Sequence, residues 1–121
     1  MTSIAGINTR YTIVKEGDPS KTICAKDVVV VHALGEVADD NGSVIKKFWS
    51  TRDPGQSPFQ YQAGVGGVIT GWDQGCLGMA IGEIRELNIP GDEGYGVSGF
   101  PAWGIPPNGR LKFTIECLKI N

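Results

Sequence analysis

From Arg110 to Cys117 the chain alternates without a slip: Leu111, Phe113, Ile115 and Cys117 are apolar, while Arg110, Lys112, Thr114 and Glu116 are polar or charged. Successive side chains of a strand point to opposite faces, so this segment reads as a strand with one dry face and one wet face. Such a strand cannot stand alone: its edges must pair, and something must cover the dry face. Tyr11 to Val14 is a short pairing candidate, ended by the turn cluster Glu16-Gly17-Asp18-Pro19-Ser20. Thr22 to Val37 is rich in β-branched residues and predicts one long strand. Asp39-Asp40-Asn41-Gly42 then places an Asn-Gly pair where a tight hairpin turn leads back into Val44 to Phe48. Phe59-Gln60-Tyr61 alternates as well, and Glu83 to Ile89 does so more roughly. Only Val68 to Leu77 looks helical, with Val68, Ile69, Trp72 and Cys76 recurring at helical steps. Gly66, Gly67, Gly75, Gly78 and Gly82 bracket that segment and keep it short. It is the one cover on offer for the dry face of the sheet, so the expected fold is α+β, antiparallel strands around one short helix, in a single domain over residues 1–121.

Composition narrows the function classes. The 18 glycines and 7 prolines fall between the periodic segments rather than in a tract, which is how a β-rich fold is punctuated. A net charge of −2 and the lack of any Lys/Arg run argue against a nucleic-acid partner or a basic membrane-binding face. The longest apolar run, Val28 to Val31, is far too short to cross a bilayer, and Met1 to Tyr11 lacks the pattern of a signal peptide. The chain is therefore expected to be soluble and cytoplasmic. Cys24, Cys76 and Cys117 form no CxxC, sit among apolar neighbours, and read as reduced, buried thiols. Asn41-Gly42-Ser43 is read as turn chemistry rather than a glycosylation site.

The inventory of reactive groups is thin. His32, the one histidine, lies inside the strand candidate VVVVHALG and reads as structural. No group of residues has metal-ligand spacing, so no metal is expected. The carboxylate pairs Asp39-Asp40 and Asp92-Glu93 fall at turns, where solvation is the default. GYGVSG, Gly94 to Gly99, matches G-x-G-x-x-G, but Phe100-Pro101 follows and no helix can begin there to meet a phosphate, so no cofactor is expected. Any catalysis by this chain has to work without nucleophile, metal or cofactor.

What the chain has in abundance is aromatic and apolar surface, including the loop GFPAWGIPP, Gly99 to Pro107, where Phe100, Trp103 and Ile105 stand among prolines. VITGWDQG followed by GYGVSGFPAWGIPPNGRLKFTIECLKI resembles the FKBP-type peptidyl-prolyl isomerases, immunophilins that bind macrolides such as tacrolimus and rapamycin. VVVVHALGEVADDNGSVIKKFWSTRD resembles that family's strand and hairpin, and together these stretches span Tyr11 to Ile120. The resemblance implies a five- or six-stranded antiparallel sheet curled around one short helix, with an apolar pocket between them. It implies Trp72 as pocket floor, Phe48, Phe59 and Phe113 as walls, and Val68 and Ile69 at the rim. The Ile69 backbone N–H and the Tyr95 hydroxyl would be the donors to a ligand, Ile105 would close one side, and Phe100 and Trp103 would stand at the mouth. It further implies a protein acting on Xaa-Pro bonds of peptides and proteins during folding, or else a non-catalytic module that keeps the proline or macrolide pocket for docking; nothing in the sequence suggests an obligate interface, so a monomer is expected.

Two positions depart from the family pattern. Trp49 follows Phe48 where the family usually has a pocket-edge Asp, and Ala33 replaces a pocket tyrosine, so Trp49 is expected to refill part of the space at Ala33. The GFPAWGIPP loop is also one residue longer than in compact members, leaving Trp103 or Gly104 as the added position.

Overall fold

A computed structural model describes residues 1–121. Nine strands follow one another along the chain: β1 (Thr2–Ser3), β2 (Arg10–Lys15), β3 (Asp18–Thr22), β4 (Val28–Ala38), β5 (Val44–Ser50), β6 (Phe59–Gln62), β7 (Ala80–Ile81), β8 (Ile84–Ile89) and β9 (Arg110–Ile120). The single α-helix, α1 (Thr70–Gly75), lies between β6 and β7, and three one-turn 3-10 helices occupy Gly91–Glu93, Gly96–Ser98 and Pro101–Trp103. The main sheet runs β1-β2-β8-β9-β4-β5, with β6 also pairing β4, and every pairing is antiparallel. β3 and β7 pair separately.

The alternation in Arg110 to Cys117 decides the layering. Leu111, Phe113, Ile115 and Cys117 are buried, as are Val29, Val31, Ala33 and Val37 of β4 and Leu87 and Ile89 of β8. These residues line one face, and α1 packs against it. The helix comes so close because it meets β8 with glycines: a Cβ on Gly71 would stand 2.6 Å from Ile89 Cγ2 and 2.7 Å from Thr9 Oγ1, and one on Gly75 would stand 2.9 Å from Leu87 Cδ2.

Several expectations need correction. The long strand from Thr22 to Val37 breaks at Ile23–Asp27, because Asp27 Oδ2 accepts the Cys24 N–H at 2.8 Å and Lys26 takes a φ of 77°. The turn cluster at Glu16–Ser20 extends instead into β3, which pairs Asp18 with Ile81 and Thr22 with Ala80. The hairpin after β4 forms, but its turn is set by Asp39, whose Oδ1 accepts the N–H groups of Asn41 and Ser43 at 2.9 Å each. Gly42 alone takes positive φ, as in a turn followed by a bulge, rather than an Asn-Gly pair with both residues left-handed.

The helix is shorter than Val68 to Leu77. Ile69 is extended, at φ −56° and ψ 149°, and its carbonyl accepts the Asp73 N–H as the N-cap. At the other end the Arg85 guanidinium, paired to Glu83 at 2.7 Å, donates to the carbonyls of Gly75 and Leu77. Two further expectations fail on burial. Cys24 is exposed, and only Cys76 and Cys117 are buried. Glu93 is buried rather than solvated, because its carboxylate accepts the N–H groups of Asn8 and Thr9 and the Thr9 hydroxyl.

Candidate functional site

An apolar cavity of about 600 Å³ opens between α1 and the sheet, lined by Trp49, Phe59, Gly67, Val68, Ile69, Trp72, Tyr95, Trp103 and Phe113. Each wall has a local cause. Phe113 comes from the core-facing parity of β9, and its ring meets that of Trp72 edge-on with centroids 5.0 Å apart. Phe59, on β6, meets Trp72 at 5.6 Å, while Trp49 meets Phe59 at 5.9 Å and Trp72 at 6.1 Å. Trp72 is 4 % exposed and forms the floor, and its indole N–H has no acceptor in the protein.

Phe48 and Trp49 are neighbours in sequence, yet both rings reach the helix side of the sheet. Gly35 pairs with Trp49 and Glu36 with Lys47, so Phe48 is the extra residue of a β-bulge, the device by which a strand re-aims a side chain. Gly35 makes this possible sterically. A Cβ there would lie 2.7 Å from Phe48 and 2.8 Å from Phe113. Phe48 then stacks on Trp103 at 5.6 Å and meets Phe113 edge-on at 5.7 Å, which puts it behind the cavity wall rather than in it.

The rim at Val68 and Ile69 is held by the next turn. Asp73 is 3 % exposed, and its carboxylate accepts the N–H groups of Gly64 at 2.8 Å and Gly66 at 3.1 Å, tying the loop before the helix to the helix itself. The Ile69 N–H is left without a protein acceptor. The opposite rim is the GFPAWGIPP loop. Phe100 and Ile105 bond to each other in both directions, and Gly104, at φ 70°, closes the turn between them. Trp103 thereby lines the cavity and Gly104 supplies the left-handed corner.

Not every expected residue reaches the cavity. Ile105 is 2 % exposed and belongs to the core behind the loop. Phe100 stands outside, 36 % exposed, packed on Tyr95 at 5.4 Å and on Trp103 at 4.7 Å. Ala33 is 4 % exposed and packs into the core on the α1 face of the sheet, without lining the cavity that Trp49 lines. Gly67, Gly35 and Asp73 went unpredicted. For the last, a buried acid just inside a helix start, after a glycine-rich loop full of free N–H groups, was the available signal.

The electrostatics are sparse. No charged side chain lines the cavity. Tyr95 is the one titratable group there, and burial raises its hydroxyl above the ordinary 10.0, so it stays protonated and able to donate near neutral pH. His32 Nδ1 lies 2.9 Å from Thr51 Oγ1, and that hydroxyl also accepts the Ala33 N–H. Thr51 thus bridges the gap where β5 leaves β4 and β6 joins it.

A family model for FKBP-type peptidyl-prolyl cis-trans isomerase matches residues 20–118. The chain is 53% identical over 91 residues to the peptidyl-prolyl cis-trans isomerase FKBP12 of Vicia faba, covering 75% of this chain and 80% of that one. It is 40% identical over 121 residues to FK506-binding protein 1 of Saccharomyces cerevisiae, covering 100% of both. No helix is long and apolar enough to cross a membrane. On this sequence match and this fold, the chain belongs to the FKBP-type peptidyl-prolyl cis-trans isomerases.

Proposed function

We propose that the aromatic cavity is where this isomerase holds an Xaa-Pro bond while it rotates. Rotation destroys amide resonance and meets a barrier of roughly 18 to 20 kcal/mol, so the uncatalysed step takes tens to hundreds of seconds. No covalent bond breaks, which is why a site with no nucleophile can serve. The planar amide is the more charge-separated state and the twisted amide the less polar one. A cavity whose lining is aromatic and aliphatic apart from Gly67 removes solvation that favours the planar form.

The two free donors act on the flanking carbonyls. The Ile69 N–H and the Tyr95 hydroxyl stand at the rim without protein acceptors, available to a carbonyl whose position changes as the bond twists. Interactions made more strongly by the twisted state lower the barrier, and an acceleration on the order of ten-thousandfold needs only about 5 to 6 kcal/mol. Trp72 and Phe113 form the surface for the proline ring, with Phe59, Val68, Trp49 and Trp103 around it. A cavity of this size and apolarity also suits a macrolide such as tacrolimus or rapamycin, which would compete with peptide for the same surface.

The observation that carries this reading is the convergence of Trp49, Phe59, Trp72 and Phe113 on one open cavity with free hydrogen-bond donors at its rim. A prolyl-peptide assay tests it. Acceleration of the cis-to-trans step that is lost on adding macrolide is expected; a rate at background for several residues preceding proline, with macrolide still bound, would leave the cavity a docking module.

A further inference from the structure

On the other face of the sheet, three strands bring basic and carboxamide side chains together. Arg10 on β2 stands directly opposite Asn88 on β8, and Asn88 stands opposite Lys112 on β9. Residues paired in this way share a face, and Arg110, two residues from Lys112, shares it too. The β4–β5 turn brings Asn41 and Gly42 over the same place, and Ser3 of β1 pairs beside Arg10. Together with Met1, Ile7 and Asn8 these residues line a concavity of about 450 Å³.

Its chemistry is one-sided. Two guanidinium groups and three carboxamide side chains line it, and no carboxylate does. The four ion pairs of the molecule join Lys47 to Asp53, Arg52 to Glu116, Arg85 to Glu83 and Lys112 to Glu86, so Arg10 and Arg110 have no ionic partner. Arg110 Nε is buried and bonds to nothing in the protein. Most carboxylates around it have partners of their own. Glu93 holds Asn8 and Thr9, Asp39 accepts the N–H groups of Asn41 and Ser43, Glu86 holds Lys112, and Glu36 stands across from Lys112, while Asp40, beside Asn41 in the turn, is exposed and does not line the basin. In a chain of net charge −2, a basin with two unpaired guanidiniums and no acid is a local exception. A buried guanidinium N–H without an acceptor is costly, and a multiply charged oxyanion is the group that satisfies such a fork.

We propose that this basin binds a phosphate group, held by Arg10 and Arg110 with carboxamide donors of Asn88 and Asn41 completing the set. The group can come as free phosphate or as a phosphate ester, since both present the same oxygens. The site lies on the face away from the aromatic cavity, so its occupation does not depend on the proline reading.

The test is a titration of the intact chain, followed through the arginine Nε–H resonances. One arm uses inorganic phosphate and the other O-phosphoserine, each against chloride at equal ionic strength. The expected result is a saturable shift of the Arg110 Nε–H signal, with affinity reduced about tenfold by either Arg10→Gln or Arg110→Gln alone and lost in the double variant. Tighter binding of phosphoserine would identify an ester as the occupant, and tighter binding of inorganic phosphate the free ion. Overturning results are an Arg110 signal that moves with neither ligand, or a saturable response that survives in the folded double variant. The unsubstituted chain supplies the first of these, so the test holds even if a variant folds poorly.

Discussion

The two concavities share one strand, β9, and put opposite chemistry on its two faces. Toward α1, β9 contributes Phe113 to a cavity with no charged lining; on the far side, three residues earlier, it contributes Arg110 to a basin lined mostly by polar and basic residues. Strand parity alone separates them, so one run of alternating residues supplies both surfaces. The difference lies in how each is held. The aromatic cavity is held by close packing, with Gly35, Gly71 and Gly75 admitting rings and helix to within contact distance. The basin is held by register, since Arg10 and Asn88 meet only because β2 and β8 pair as they do.

The largest expected effect comes from breaking the packed side. Trp72→Ala removes the floor ring that Phe59, Tyr61 and Phe113 all meet edge-on, and should cost about 3 to 5 kcal/mol of stability together with most isomerase activity. Chemical denaturation and a prolyl-peptide assay measure the two losses. At low temperature, where the variant stays folded, its response to phosphate should match that of the unsubstituted chain, because the basin shares no residue with the cavity.

Glu93 ties the start of β2 to the loop that carries Tyr95. Burial pushes its carboxyl up, but the Thr9 hydroxyl and the N–H groups of Asn8 and Thr9 together outweigh burial and hold it below the ordinary 4.5. A carboxyl that releases its proton more readily when folded stabilises the fold above about pH 4.5, and that contribution fades as pH falls through the lower folded value. Glu93→Gln should therefore cost about 1 to 3 kcal/mol at pH 7 and give a melting temperature that falls less steeply between pH 5 and about 3 than that of the unsubstituted chain.

Tyr95→Phe should be gentler still. It keeps the ring against Phe100 and removes one donor, so kcat/KM should fall by about two- to tenfold with stability nearly unchanged. The smallest perturbation concerns the thiols. Burial pushes Cys76 up to about 12 and Cys117 up to about 11, whereas Cys24 is exposed. A maleimide at neutral pH should add one label per folded chain, at Cys24, and leave isomerase activity as it was.

How much of this was legible depends on the range of the interaction. The alternation in β9, the single helix and the aromatic set around Trp72 follow from local periodicity and motif. The β-bulge that turns Phe48 and Trp49 to the same side does not, since it arises from a register shift against Gly35. Phe48 and Ile105 read as cavity walls and stand behind it, Phe48 through that bulge and Ile105 through its pairing with Phe100. Arg10, Asn88 and Arg110 carry no shared motif, and only the pairing of distant strands makes them neighbours. Glu93 looked like a solvated turn residue because its partners, Asn8 and Thr9, lie more than eighty residues away.

The central claim is that an apolar cavity, with a neutral hydroxyl and a backbone N–H as its only aids, accounts for isomerase activity. The pH dependence of kcat/KM tests it most directly. Tyr95 is the one titratable lining residue and burial holds it neutral past its ordinary 10.0, so the profile from pH 6 to about 9 should be flat. A bell, or a single step within that range, would show an ionising group at work in the rotation and contradict the account.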